Sequence, residues 1–125
     1  MTSATGEMIP ADHKIDGGPS VLFDAVAILP SDAGGAKLAL EAAAVNFLRD
    51  AFGHLKVIGY LPAAAPLFVK GGINDAAPDT DAGLLAFPAA SVNDFVAAAS
   101  AGRIWAREPM VRPMPTDIIP PTPAA

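Results

Sequence analysis

Gly17-Gly18-Pro19-Ser20-Val21-Leu22-Phe23-Asp24-Ala25-Val26-Ala27-Ile28-Leu29-Pro30 decides the fold class of this 125-residue chain. A Gly-Gly-Pro turn feeds a run that is apolar at odd and even positions alike, with Asp24 as its one charge. A strand without polar alternation is one buried on both faces, the condition of strands in parallel α/β sheets. The pattern predicts a strand over 22–29, stopped by Pro30, which has no N–H to give to a ladder. Ser31-Asp32-Ala33-Gly34-Gly35 then reads as a strand-to-helix loop capped at Ser31 or Asp32.

Downstream the same alternation of elements repeats. Leu38, Val45, Leu48, Phe52 and Leu55 share one helical face, which predicts a helix over 36–52 with Gly53 as its stop. Lys37 and Glu41 lie off that stripe, four residues apart, and can pair. A second strand over 56–61 ends at Pro62, and a short helix over 63–70 tolerates Pro66 because it falls in the first turn. An acidic loop over 73–83 leads to a third strand over 84–87. A last helix over 91–101 opens with Ser91 and Asp94 in capping-box spacing and closes at Gly102, with Phe95, Val96 and Ala99 as its packing face. Strand–helix alternation of this kind gives a parallel sheet covered by helices. The residues before Gly17 read as a small hairpin or an extended arm, and no internal repeat is present. The domain is expected over 1–108. Residues 109–125, with Pro109, Pro113, Pro115, Pro120, Pro121 and Pro123, are expected to be an extended, disordered tail.

Composition narrows the function. Thirteen acidic against eight basic residues give a net charge of −5, which argues against nucleic acid as a partner. The absence of cysteine removes disulfides, thiolate–zinc sites and cysteine nucleophiles together, and agrees with a reducing, cytoplasmic setting. The N-terminal stretch has no apolar core of the signal-peptide kind. No apolar run approaches the roughly 18 residues a membrane helix needs, so no membrane partner is expected.

Sites in open α/β sheets lie outside the carboxyl ends of the strands. Here those positions are Leu29-Pro30-Ser31-Asp32, Gly59-Tyr60-Leu61-Pro62 and Phe87-Pro88, and none pairs a nucleophile with a base. The dinucleotide glycine fingerprint, the phosphate-binding Gly-Lys-Ser/Thr loop and the Gly-x-Ser-x-Gly elbow are all missing. His13 and His54 lack the i+3 or i+4 partner of a metal pair, and His54 reads as a cation at a helix end. Asp75, Asp79 and Asp81 contain a fragment of a calcium loop, but Ala90 stands where the bidentate Glu belongs, so a solvated acidic loop is expected. Tyr60 is read as a core filler rather than a pocket gate. Trp105, flanked by Arg103 and Arg107, is either a partner anchor or packed on its own domain. No catalytic, cofactor-binding or metal residue is assigned.

With these residues in place the chain resembles the C-terminal domain of large-subunit catalases. The resemblance is carried by Asp16 through Val26, by Phe52-Gly53-His54-Leu55-Lys56-Val57-Ile58-Gly59, by Gly72-Ile73, and by Ile104-Trp105-Ala106-Arg107-Glu108, with Thr5 through Asp12 also fitting. It implies a flavodoxin-like fold related to class I glutamine amidotransferases and PfpI-like hydrolases. In those relatives the second strand ends in an Ile-Cys-x-Gly-Pro elbow. Here the order is Ile58-Gly59-Tyr60-Leu61-Pro62, and glycine has no nucleophile to offer.

The resemblance further implies that haem and peroxide decomposition belong to a separate catalase core, whose motifs Tyr60, His13 and His54 do not form. A non-catalytic, stabilising accessory domain is the expected role. A chaperone-like binding module and a degenerate PfpI-like hydrolase are the alternatives. The complete domain would carry a strand, a helix and another strand ahead of Thr5. The chain is therefore expected to be a truncated form whose strands lack a neighbour, with self-association or a catalase core chain as partner.

Overall fold

The computed structural model describes residues 5–73 and 81–111. They form a three-layer α/β domain of flavodoxin-like type around a parallel sheet. Its strands are β1 (Ala25–Ile28), β2 (Val57–Tyr60) and β3 (Leu84–Ala86). They lie in the order β1-β2-β3, with Val26 opposite Ile58 and Ile58 opposite Leu84. The helices are α1 (Asp32–Leu38), α2 (Ala42–Gly53), α3 (Ala65–Lys70), α4 (Val92–Ala101) and the single turn α5 (Glu108–Val111).

The first strand is shorter than expected. Residues Ser20–Leu22 form a 3-10 turn, and the ladder begins only at Ala25. The cause is Ser20, which is fully buried and donates its hydroxyl to the Phe47 carbonyl at 2.8 Å. That bond pins the turn to α2 before the chain enters the sheet. Nor is β1 buried on both faces: Val26 and Ile28 are buried, whereas Ala27 is exposed and Leu29 is 59% exposed.

The single helix expected over 36–52 is two helices. Ser31 caps α1 by accepting from the Gly34 N–H at 3.0 Å. Gly35 then lies so close to the Ala63 carbonyl that no Cβ would fit between them. That contact fixes the direction of α1 against the 3-10 turn Pro62–Ala64, while α2 lays Ala44, Leu48, Ala51 and Phe52 on the sheet. One straight helix cannot satisfy both, so the chain bends at 39–41, with Glu41 extended. The heptad spacing from Leu38 to Val45 hides the break.

The stop after α2 is also displaced. Gly53 remains helical, His54 is the C-cap and Leu55 takes the left-handed conformation at φ 65°. The Lys56 N–H reaches the Ala51 carbonyl and the Leu55 N–H the Phe52 carbonyl, a Schellman closure. Leucine tolerates this strained position because its side chain is buried there.

The short helix follows expectation, with Pro66 in the first turn of α3, and β2 is buried at all four positions. Tyr60 fills the core, its ring centroid 4.6 Å from that of Phe68. The expected packing face of α4 is corrected: Phe95 and Ala99 are half-buried, and Val96 is 54% exposed. The expected extended tail is corrected at its start, because Glu108–Val111 is helical, with Pro109 in its first turn, where no N–H is required. Residues 112–125 lie outside the described residues.

Side chains on adjacent strand residues point to opposite faces. Tyr60 meets Phe68 of α3, whereas a Cβ on Gly59 would meet Phe95 of α4. Helices α2 and α3 therefore cover one face and α4 the other.

Candidate functional site

The carboxyl ends of β1, β2 and β3 converge on the place where an α/β sheet keeps its chemistry. A groove of about 630 Å³ opens there, between the sheet and α4. Its walls are Leu29, Leu61, Phe87, Pro88, Val92 and Phe95, and the one polar side chain among its lining residues is Ser91. Ser91 is occupied as a helix cap. Its hydroxyl accepts from the Asp94 N–H at 3.0 Å, and the Asp94 carboxylate accepts from the Ser91 N–H at 2.9 Å. The Ser91 N–H first, and the Ser91 hydroxyl beside the carboxylate second, hold the Asp94 carboxyl below its usual pKa. Ser31, the hydroxyl at the end of β1, is likewise occupied in capping α1.

Gly59 is the position that bears on the hydrolase alternative. A Cβ built there would lie 2.6 Å from the Phe87 ring and 2.9 Å from Phe95. The two rings pack edge to face, with centroids 5.9 Å apart. The space into which a nucleophile at this position would project is filled by aromatic carbon. Restoring a cysteine or serine would require moving both rings.

The other singled-out residues do not assemble into a centre. His13 and His54 are exposed and lie on separate elements, His54 as the α2 C-cap. Among the described residues no three His, Cys, Asp or Glu side chains group as metal ligands. Asp75 and Asp79 fall outside the described residues. Trp105 is 63% exposed and does not pack on its own domain as a core residue does.

Asp81, expected in a solvated loop, is buried instead. Its carboxylate receives Arg107 Nε at 2.6 Å and Nη2 at 3.1 Å. Arg107 Nη1 donates to the Phe52 and Lys56 carbonyls at 3.1 and 2.8 Å, and the guanidinium lies 4.4 Å from the Phe52 ring centroid. The Gly83 N–H completes the Asp81 carboxylate at 2.8 Å. This cluster sits beside the residues that lead into β2 and β3, at the other end of the sheet from the groove. Both side chains are fully engaged, which makes them a clamp rather than a reactive pair. The pairing spans 26 residues, so no local pattern announces it. The one available signal is Asp81-Ala82-Gly83, an Asx turn that reads equally well as part of a calcium loop.

A second apolar groove, of about 360 Å³, lies on the α2/α3 face, lined by Ile15, Leu38, Ala44, Phe47 and Leu67. It shares Ala27 and Leu29 with the first. The two grooves thus meet at the outer edge of β1.

Fold and site define a parallel α/β domain whose strand ends carry apolar surface in place of reactive groups. Its sequence matches a segment of large-subunit catalases. Catalase C of Rhizobium meliloti (strain 1021) is 42% identical over 112 residues, covering 89% of this chain and 16% of that protein. Catalase HPII of Mycobacterium avium is 30% identical over 86% of this chain and 17% of its own length. Catalase-1 of Neurospora crassa is 36% identical over 71 residues, 10% of its length. The chain therefore spans well under a quarter of these relatives. No family model matches the sequence. Among the described residues no helix is long and apolar enough to cross a membrane.

Proposed function

We propose that the chain is a non-catalytic accessory domain of the large-catalase type, which stabilises a catalase assembly by packing against it. The observation that carries this reading is Gly59 beneath Phe87 and Phe95: the strand-end position that would bear a nucleophile is plugged, and apolar surface surrounds it. The similarity to a small segment of catalases supplies the context. Haem and peroxide chemistry then reside in the partner, and the setting is cytoplasmic.

The test has two parts. Purified protein mixed with peroxide is expected to release no oxygen and, after incubation with haem, to show no catalase-like Soret band. Catalase C lacking its matching 112 residues is expected to resist heat inactivation better when this chain is added. Oxygen release by the pure chain, or no effect on the shortened catalase, would overturn the reading.

A second reading, a chaperone-like binding module, draws on exposed apolar side chains such as Leu22, Leu40, Val69 and Val92, each at least 70% exposed. Suppression of aggregation of an unrelated client protein would favour it.

A further inference from the structure

The groups around the Arg107 side chain form a receptor shaped to a guanidinium ion, and the segment that delivers Arg107 is lightly attached. Residues 103–111 make a strap that starts after Gly102, where φ is 92°, a conformation that favours glycine. Among the strap's described side chains, Arg107 is the buried one. Ile104 and Val111 are half-buried, and Trp105 and Ala106 are exposed. The Ile104 N–H adds a backbone bond to the Leu55 carbonyl at 2.8 Å.

The groups that receive Arg107 are positioned by other parts of the chain. Asp81 Oδ1 accepts from the Gly83 N–H at 2.8 Å. The Phe52 and Lys56 carbonyls flank the turn that closes α2, in which the Leu55 N–H reaches Phe52 and the Lys56 N–H reaches Ala51. Phe52 itself is buried. Gly83 leaves the room, because a Cβ there would overlap Ile104 and the guanidinium. One carboxylate, two carbonyls and a ring face thus converge on a planar cation, and none of them belongs to the strap. A forked, charged donor satisfies them together; a compact ammonium lacks the fork and a neutral amide lacks the charge.

We propose that this seat is a guanidinium-binding site whose own occupant, Arg107, is exchangeable: when the strap lifts about Gly102, the seat takes a guanidinium from another source. Lifting does not require the core to unfold. The buried group that leaves is a charge, which water receives, whereas the fully buried Leu48, Ile58 and Phe68 lie on other elements. The inference goes beyond the accessory-domain reading and does not depend on it.

Arg107→Ala in the full chain empties the seat. Guanidinium chloride at about 50 mM is expected to raise the melting temperature of this variant by at least about 3 °C, as mass action gives for a dissociation constant near 10 mM. The same concentration should lower that of the unsubstituted chain by less than about 1 °C, its ordinary denaturing effect. Methylammonium, which has the charge without the fork, and urea, which has the fork without the charge, should give no rise. Methylguanidinium and the capped strap peptide Ile-Trp-Ala-Arg-Glu-Pro-Met-Val, used separately, tell a free guanidinium from an arginine on a polypeptide: the one that acts at lower concentration identifies the source. Should the variant not fold, the unsubstituted chain decides. There, about 50 mM guanidinium should speed amide exchange at Ile104 roughly fivefold by holding the strap open, and leave exchange at Leu48 unchanged. The proposal is overturned if guanidinium gives no rise in the folded variant, or if methylammonium or urea gives as large a one. In the unsubstituted chain it is overturned if Ile104 exchange is unmoved or accelerates together with that of Leu48.

Discussion

On the face covered by α2 and α3, Leu48, Ala64 and Phe68 have no exposed surface, and Ile58 of β2 is equally closed off. On the face covered by α4, no residue of the helix is buried, and a groove of about 630 Å³ separates it from the sheet edge. Both faces use aliphatic and aromatic carbon, so residue type alone does not separate them. The difference lies in what each helix must cover. Helices α2 and α3 approach over the middle of the sheet, where Tyr60, Val26 and Ile28 project toward them. Phe95 of α4 sits over Gly59, which projects no side chain, and the groove lies between the helix and Ala27. The closed face carries the buried core of the domain, and the open face leaves its apolar groove uncovered.

Mutations separate the two sides in order of cost. The largest effect is expected at the clamp that completes the closed side. Asp81→Ala should lower unfolding free energy by about 3–5 kcal/mol, because it strands the Arg107 guanidinium in the interior. Urea denaturation reads this directly. Leu48→Ala should cost about 2–5 kcal/mol as a core cavity, whereas Val92→Ala on the open side should stay within roughly 0.5 kcal/mol. Equal costs would erase the contrast between the faces. Gly59→Ala should cost about 1–3 kcal/mol by pushing the Phe87 and Phe95 rings apart. Near-ultraviolet circular dichroism should register the displaced rings, and Gly59→Cys should yield no hydrolase turnover.

Smaller effects follow at the cap of α4. Ser91→Ala should cost about 1 kcal/mol. The pH dependence there has a fixed sign. The Asp94 carboxyl is held below its ordinary value of 3.8, so its contribution is present above that value and fades as pH falls through the lower folded one. Because Asp94 is exposed, Asp94→Asn should flatten the acid limb of the stability curve only slightly, as read by thermal melts from pH 5 downward.

Legibility in the sequence followed the range of the interaction. The order of elements, Pro30 and Pro62 as strand stops and the Ser91–Asp94 box are local features, and the structure contains each of them. At the strand ends the sequence places Gly59, Leu29, Leu61 and Phe87, and the structure sets them around one groove. What escaped depended on distant partners. Asp81 read as a solvated loop residue because Arg107 lies 26 positions away. The break between α1 and α2 escaped because it answers to Ala63, across the fold from Gly35.

By itself, then, the sequence determined a parallel α/β domain with glycine at position 59 of its second strand, because chain punctuation and apolar periodicity act over a few residues. Tertiary structure alone decided that Arg107 closes one end of the sheet, that two phenyl rings fill the space over Gly59, and that two apolar grooves meet at Ala27 and Leu29. Those outcomes rest on which surfaces meet in three dimensions, and close packing settles that only once every element is in place.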